Sequence, residues 1–447
     1  MLIRFITSNF LSFNQEEEFN MLASSYRSHK HHVYKAGKVN VLKGAAIYGA
    51  NGAGKSNFVK AIEYFKNLVT DGAITKSINS KKFKLNKGNA KLPVEFEIEF
   101  YYKKKIYAYG LSINKNTIEK EWLYLSSIDK EDKLIFERKK GKNEQSSIKV
   151  ASKYLKTQKS KLLISLMEEN VLQSNELLLG KAAILKITDI KNAKDWISDY
   201  LVLLYPSTKA VFSAYITEIN ESQKFKTLTD QILRTFNTGI TKLYIENINF
   251  EKFFGIEDKD FREKIKEELE EVKAIPIRYA NEVMLAVKEE NKYLVKKLIA
   301  IHNNSNGKPI KFDLTEESDG TQRLIDFIPI FHQITQSDSP TFIIDEIDQS
   351  IHPNLLYSLV KKLMDTPDTK GQLIFTTHEA NLLDLNIFRQ DEIWFTEKKD
   401  GATHLYSLSE FKPRNDLDIR KGYLKGRFGA IPFTADLKNL NWPTNDA

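Results

Sequence analysis

The chain has 447 residues, room for about two to three domains with ample core, and its 67 Lys and Arg against 59 Asp and Glu leave a net charge of +8 with a pI near 9.0. That balance is compatible with nucleic acid but mild, and the absence of cysteine excludes a disulfide framework, a thiol nucleophile and a cysteine metal site. No apolar run approaches the ~20 residues that span a bilayer, and Met1 to Phe13 lacks the core and cleavage site of a signal peptide, so a cytoplasmic protein with no membrane partner is expected.

Leu2 to Phe13 alternate and are expected to form a strand carrying Asn9-Phe10-Leu11-Ser12-Phe13. A polar loop follows through His29, Lys30, His31 and His32. These histidines have no carboxylate or cysteine at ligand spacing, so a solvent-facing basic loop is expected rather than a metal site. Arg27 with His32 also fits a loose Arg-x4-His ribonuclease spacing, without the structural context such a match needs. Next, Gly49-Ala50-Asn51-Gly52-Ala53-Gly54-Lys55-Ser56 fits the P-loop pattern GxxxxGK(S/T). Ala45 to Tyr48 before it read as a buried strand, and Phe58, Val59, Ile62, Phe65 and Leu68 after it recur at helical spacing. Strand, glycine turn and helix N-terminus form the setting in which backbone N–H groups from Gly49 to Asn57 face an anion. Lys55 is then expected at the β- and γ-phosphates of a nucleoside triphosphate and Ser56 at Mg²⁺.

Val94, Phe96, Ile98 and Phe100 alternate with Glu95, Glu97 and Glu99 as a half-buried strand. The glutamates read as a solvent face rather than a catalytic cluster. Ile106 to Ile113 and Trp122 to Leu125 continue the sheet, and the clusters Lys81-Lys82, Lys103–Lys105 and Lys139-Lys140 read as solvated faces. From Ser160 the period becomes helical: Leu162, Leu163, Leu166 and Met167; Trp196 to Leu204, stopped by Pro206; Leu228 to Phe236; Phe261 to Val272. None of these sustains a heptad seam, so a compact helical insertion is expected rather than a coiled-coil arm. Strands return at Tyr293 to Ile301 and, after a turn-rich stretch, at Ile310, Phe312 and Leu314. The expected plan is an N-terminal lobe over 1–150, the insertion over 151–280, a C-terminal lobe over 281–410 and a tail over 411–447.

The C-terminal lobe carries the second group of motifs. Ser318-Asp319-Gly320-Thr321-Gln322 stands before an expected helix from Leu324 to His332, and a serine and glycine at a helix N-terminus make a second anion cradle. One chain has no need of two cradles for one phosphate group; two chains facing head to tail would each lend one to the other. Thr341 to Glu346 is a buried strand ending in two carboxylates, a Walker B pattern. Asp345 is placed to hold the Mg²⁺ shell and Glu346 to polarise an attacking water. Asp348 to Pro353 follow, where a dimer-contact loop would sit. Leu373 to Phe375 lead into Thr376-Thr377-His378, with the imidazole at the γ-phosphate end; alone His378 would read as structural, but in this order a switch role is favoured.

This order of motifs resembles an ABC-type ATPase head, and Asn9–Phe13 resembles the opening strand of the RecF, SMC and OLD ATPases. The chain is similar to the single-chain AAA/ABC-type ATPases of bacterial phage-defence and abortive-infection modules. Their ending resembles Arg414 to Pro432, with Tyr423, Gly426, Arg427, Phe428 and Gly429. The likeness covers both ends of the chain and not its middle. It implies an α/β P-loop NTPase of ABC-ATPase head type, a mixed sheet with flanking helices, hydrolysing ATP with Mg²⁺ as a homodimer. Lys55, Glu346 and His378 would be catalytic, and Ser318 to Gln322 would act in trans. It also implies a separate effector, a nuclease or toxin, as in systems of the PARIS or Septu kind, with nucleic acid or a phage protein as trigger. OLD nucleases carry a TOPRIM domain after the head, and here the chain ends soon after His378. Arg414, Lys421, Tyr423 and Arg427 are candidate effector contacts, or braces of the head. Two features depart from ABC heads: the signature is not Ser-Gly-Gly-Gln, and no glutamine lies between Ser56 and Gln145 to serve as a Q-loop. The alternative is a RecF-like DNA repair ATPase that binds DNA; a transporter subunit fits poorly, given the long insertion and the type of opening strand. ATP over GTP rests on the resemblance, since Asn86-Lys87 lacks the aspartate of a guanine reader.

Overall fold

The computed structural model describes residues 1–127, 131–141, 146–207, 215–216, 218–219, 222–255, 258–279, 282–289, 292–414 and 417–431; Pro432, where the resemblance of the tail ends, lies outside them. In chain order the strands are β1 (Leu2–Ser8), β2 (Glu17–Asn20), β3 (Val33–Ala36), β4 (Val39–Leu42), β5 (Gly44–Gly49), β6 (Val94–Tyr102), β7 (Lys105–Asn114), β8 (Thr117–Leu125), β9 (Lys133–Lys140), β10 (Ser146–Val150) and β11 (Leu201–Leu204). β12 (Lys242–Asn249), β13 (Ala274–Tyr279), β14 (Glu282–Glu289), β15 (Lys292–Asn303) and β16 (Pro309–Asp313) follow. β17 (Thr341–Ile344), β18 (Gln372–Thr376), β19 (Ile393–Lys399) and β20 (Ala402–Ser407) complete the set. The chain divides into two compact units, one of residues 1–203, 338–347 and 364–447, the other of 204–337 and 348–363.

The first unit holds two large sheets. One, ordered β11-β17-β18-β5-β19-β20, has parallel pairings from β17 through β18 and β5 to β19, and an antiparallel return on β20. Strands buried on both faces require unbroken apolar runs, and every residue of β5, β17 and β18 is buried. Insertion of β18 between β5 and β17 sets the distance between the glycine loop and the paired carboxylates. The other sheet is antiparallel, ordered β10-β9-β8-β7-β6-β1-β2. Its β6 turns Val94, Phe96, Ile98 and Phe100 inward. The opposite face is not a bare solvated row, because Arg4 pairs with Glu97 and Glu99 at 3.1 Å each and Trp122 Nε1 donates to Glu97 at 3.2 Å. The P-loop helix, Lys55–Asp71, buries Phe58, Val59, Ile62, Phe65 and Leu68 and ends at Gly72 with φ 72°. Phe5 of β1 meets Phe58 and Phe65 edge-on at 6.1 and 6.0 Å, which seats this helix on the antiparallel sheet.

Three expectations for this unit change. The first strand stops at Ser8, and Asn9–Phe13 is a turn with Asn9 at φ 55° and Leu11 at φ 49°. Asn9 tolerates that conformation, and its Nδ2 donates to the carbonyls of Asn89, Leu92 and Pro93 at 2.9, 3.1 and 3.1 Å. Trp196–Tyr200 is a π-helical turn, and Leu201–Leu204 is an edge strand beside β17 instead of the end of a helix. Sheet pairing wins there because Trp196 is locked against the sheet: it stacks on Phe100 at 4.2 Å and donates to the Ser339 carbonyl at 3.0 Å. Several lysines read as solvated are tied down, Lys82 to Asn114 at 2.7 Å, Lys103 to Asn192 at 3.0 Å and Lys105 to Asp189 at 2.6 Å.

The second unit is built on an antiparallel sheet, β12-β15-β14-β13, with β16 paired to the C-terminal end of β15 beyond the reach of β14. Phe225, Leu233, Leu243, Leu298, Ile325 and Ile328 make one core cluster, and Phe250, Phe254, Ile265, Leu269, Met284 and Val295 make another. The stretch 151–280, expected to be helical, is therefore mixed. Helices Gln223–Thr235 and Lys259–Glu271 fall where the period placed them, but β12 and β13 between and after them are strands. The pairing of β12 is long-range, with Lys242 opposite Ile301, so a local search for helical period misses it, whereas β13 pairs with the next strand, β14.

Candidate active site

The loop Gly49–Ser56 joins β5 to the P-loop helix. Gly52 and Gly54 sit at φ +76° and +116°, and a Cβ on Gly54 would fall 2.1 Å from Thr403 Oγ1. A side chain there would meet both a left-handed backbone and a wall. Lys55 is buried, and its Nζ donates to the carbonyls of Gly49 at 2.6 Å and Ala50 at 3.2 Å and lies 3.4 Å from His378 Nδ1. Ala50, Asn51, Gly52, Gly54, Lys55, Ser56, Asn57, Glu346 and His378 line one cavity of about 340 Å³. Residues expected at the phosphates from three separate segments are thus neighbours. Gly49 and Ala53 lie behind the lining, Ala53 buried. Among the described residues, none between Asn57 and Glu346 lines the cavity.

Asp345 is buried at the end of β17 and accepts the Thr376 hydroxyl on Oδ1 at 2.6 Å. The same Thr376 Oγ1 accepts the Glu346 N–H at 2.8 Å, and the Thr376 carbonyl accepts the Ile347 N–H at 3.0 Å. Glu346 takes φ 49°, the turn that aims its carboxylate to the cavity while Asp345 stays inside. Thr377 N–H donates to the Ile47 carbonyl at 3.1 Å, carrying His378 past the end of β5.

Four hydroxyl residues of this site escaped sequence reasoning. Thr376 is one. Ser12 accepts Asn57 Nδ2 at 2.8 Å, and Thr403 Oγ1 lies 2.8 Å from both Ser12 Oγ and the Ala53 carbonyl. Thr396 Oγ1 is where a Cβ on Gly49 would fall, at 2.2 Å. Ser12 carried a signal, being part of Asn9–Phe13, and so did Thr376, being part of Thr376-Thr377-His378; Thr396 and Thr403 carried none, since each is chosen by strand order.

In the second unit Ser318 caps the helix Asp319–Gln336 by accepting the Thr321 N–H at 3.2 Å, with the two hydroxyls 2.9 Å apart. Ser318 and Asp319 are exposed. A Cβ on Gly320 would stand 2.8 Å from the Ser350 carbonyl, so the loop after Walker B packs against the signature at a point only glycine allows. Gln322 is held inward by its Nε2 donating to the Glu317 carbonyl at 2.8 Å.

Two further groups lie outside the lining of the nucleotide cavity. Tyr423 and Phe428 of the tail lie flat on Phe395, at 14° and 12°, and Tyr423 Oη donates to the Ala430 carbonyl at 3.2 Å. Tyr423 is a brace of the first unit, while Arg414, Lys421 and Arg427 are exposed. The histidine loop is not solvent-facing: His32 is buried with Nδ1 2.9 Å from the Glu392 carboxylate, a partner 360 residues away. Burial, with Arg389 nearby, pushes the His32 pKa down to about 4.

A glycine loop between a parallel strand and a helix, facing a carboxylate at the end of a second strand, defines a P-loop NTPase, here in an α/β fold of ABC-ATPase head type. Residues 45–384 match the family described as "AAA domain, putative AbiEii toxin, Type IV TA system", and the chain belongs to that family of nucleotide-binding AAA ATPases. No curated protein matches it. Among solved structures it is similar to an SMC head bound to the C-winged helix domain of ScpA, at 15% identity over 92% of this chain and 99% of that one, TM-score 0.45. It is also similar to the SMC head domain from Thermotoga maritima, at 12% identity over 91% and 98% of the two chains, TM-score 0.37. An Smc head with an extended coiled coil, bound to the C-terminal domain of ScpA derived from Pyrococcus furiosus, gives 14% identity, 92% and 97% coverage and TM-score 0.39. No helix among the described residues is long and apolar enough to cross a membrane.

Proposed function

We propose that the chain is an ATP-hydrolysing switch of an abortive-infection defence module, dimerising head to tail around two ATPs and controlling a separate effector such as a nuclease. The observation that carries this reading is the cavity uniting the P-loop, Glu346 and His378. The abortive-infection toxin type in the description of its family supports the defence setting.

The P-loop amides bind the β- and γ-phosphates, and Lys55, already held at the loop by two carbonyls, turns its ammonium to them. The Ser56 hydroxyl and Asp345 carboxylate are an all-oxygen donor pair suited to Mg²⁺, and the Thr376 hydroxyl orients the carboxylate from behind. Bound there, Mg²⁺ would neutralise charge on the β- and γ-oxygens. Glu346 holds the attacking water and takes its proton as the new O–P bond forms and the bond to the β–γ bridging oxygen breaks. His378 hydrogen-bonds the γ-phosphate and reports its loss. Ser318 and Gly320 of a second chain close the site over the γ-phosphate from the far side.

On this reading Glu346→Gln binds ATP without hydrolysing it and accumulates as a dimer. Light scattering after gel filtration, with and without ATP, measures this; a variant that binds ATP yet stays monomeric contradicts the dimer. Pull-down of the same variant from its native cells with ATP, after nuclease treatment, should recover a stoichiometric effector protein.

A further inference from the structure

We propose that His29, His31 and His32 form a binding site for a divalent cation of the zinc type, one that holds the N-terminal histidine loop together. None of the three lines the nucleotide cavity.

One ring nitrogen from each histidine lies within 4.8 Å of the other two. Two of the rings are already held through one nitrogen. His32 Nδ1 faces the fully buried Glu392 carboxylate at 2.9 and 3.1 Å, and His29 Nε2 faces the Leu385 carbonyl at 2.8 Å. A carboxylate or backbone carbonyl on the far nitrogen is the arrangement that orients metal-binding imidazoles and makes them better donors. The nitrogens that remain are the anomaly. His31 Nε2 and His32 Nε2 are both buried and make no close hydrogen bond, although the Met364 backbone carbonyl lies near both rings, whereas buried polar groups are almost always closely paired. A cation between them accounts for both at once.

The scaffold is built beforehand. Arg389 is buried and donates to the carbonyls of Ser24, Tyr26 and Ser28 at 3.2, 3.0 and 3.0 Å while pairing with Asp391 at 2.8 Å. That fixes the backbone leading into His29, which takes φ 49°, a conformation in which histidine is enriched. The ring of His31 stands at 87° to that of His32, with centroids 4.4 Å apart. Tetrahedral donors at zinc bond lengths stand about 3.3 Å apart. Closing the remaining gap takes side-chain rotation of His29 and His31, the two partly exposed rings, toward a fixed His32. Asp391 and Asp365 offset part of the charge of Arg389 and Lys43 nearby, while burial pushes the Glu392 carboxyl well up. Three nitrogens and no thiolate suit zinc or a similar borderline ion, with water in the fourth position, and do not suit Mg²⁺.

The test uses the full chain, stripped with a chelator, dialysed and free of nucleotide. Calorimetric titration with zinc should give one ion per chain in the micromolar range or tighter, with a raised Tm that chelator reverses. The double variant His29→Gln, His31→Gln leaves the buried His32–Glu392 pair in place. It should keep the parent's metal-free Tm and Mg²⁺-dependent ATPase rate while losing at least about tenfold in zinc affinity. Cobalt should give tetrahedral absorption bands with the parent and not with the variant. A parent that binds no zinc below millimolar, or a folded variant that binds it with unchanged stoichiometry and affinity, overturns the proposal.

Discussion

Thr376→Val isolates the contact that joins the two carboxylates. Thr376 is fully buried at the end of β18, and its one hydroxyl donates to Asp345 Oδ1 at 2.6 Å and accepts the Glu346 N–H at 2.8 Å. Valine has the same shape and suits a strand, so it removes both bonds without opening a cavity. A bond to a buried carboxylate contributes about 1.5–3 kcal/mol, and an unpaired buried N–H costs about 1–3 kcal/mol. The expected loss is about 3–5 kcal/mol, a large share of the ~5–15 kcal/mol that holds a domain together. If about half of it falls on the orientation of Asp345, the Mg²⁺ concentration needed for half-maximal hydrolysis rises about 10- to 100-fold, at 1.4 kcal/mol per decade. Urea unfolding followed by circular dichroism reads the first quantity, and a Mg²⁺ titration of hydrolysis at saturating ATP reads the second. Thr376→Ser keeps the hydroxyl and should stay within about 1 kcal/mol of the parent. A valine variant within about 0.5 kcal/mol of the parent, with an unchanged Mg²⁺ midpoint, would refute the reasoning.

Other perturbations probe the loop and the frame. Gly54→Ala places a Cβ 2.1 Å from Thr403 Oγ1 at φ +116° and should abolish binding of a fluorescent ATP analogue. Ser12→Ala removes the acceptor of Asn57 and the neighbour of Thr403, and should weaken the same binding by about 3- to 10-fold with little change in Tm. Asp189 tests pH dependence. Burial raises its carboxyl, but donation from Lys105, Tyr154 and Tyr107 outweighs burial and holds the pKa below 3.8. A depressed folded pKa gives stability that is present above 3.8 and lost as pH falls through the folded value. Asp189→Asn should therefore cost about 1–3 kcal/mol at neutral pH, with the gap to the parent narrowing below pH 3.8 in an acid titration of unfolding.

What could be read from the residues follows from how local each rule is. The glycines, Lys55 and the apolar runs of β5, β17 and β18 state their roles within a few residues, because a phosphate loop and a doubly buried strand are locally determined. The Asn9–Phe13 segment is legible as a motif but reads as strand from sequence, since its turn depends on carbonyls at 89, 92 and 93. Thr376 and Thr403 are ordinary strand threonines until the order β17-β18-β5-β19-β20 brings them against the loop and the carboxylates. β12 likewise needs its partner β15 before its alternation outweighs the helical periods around it. The histidine loop is the sharpest case: His32 lacks a carboxylate nearby in sequence and has one in space, Glu392.

The claim that two chains complete each other's site is tested most directly by mixing two inactive variants. Lys55→Ala removes the phosphate lysine and Ser318→Arg blocks the signature, so each alone should hydrolyse little ATP. In a one-to-one mixture half of the dimers pair unlike chains and hold one intact composite site. Hydrolysis should then recover to about a quarter of the parent rate. No recovery from two folded variants that still associate, or full activity in Ser318→Arg alone, would contradict the head-to-tail account.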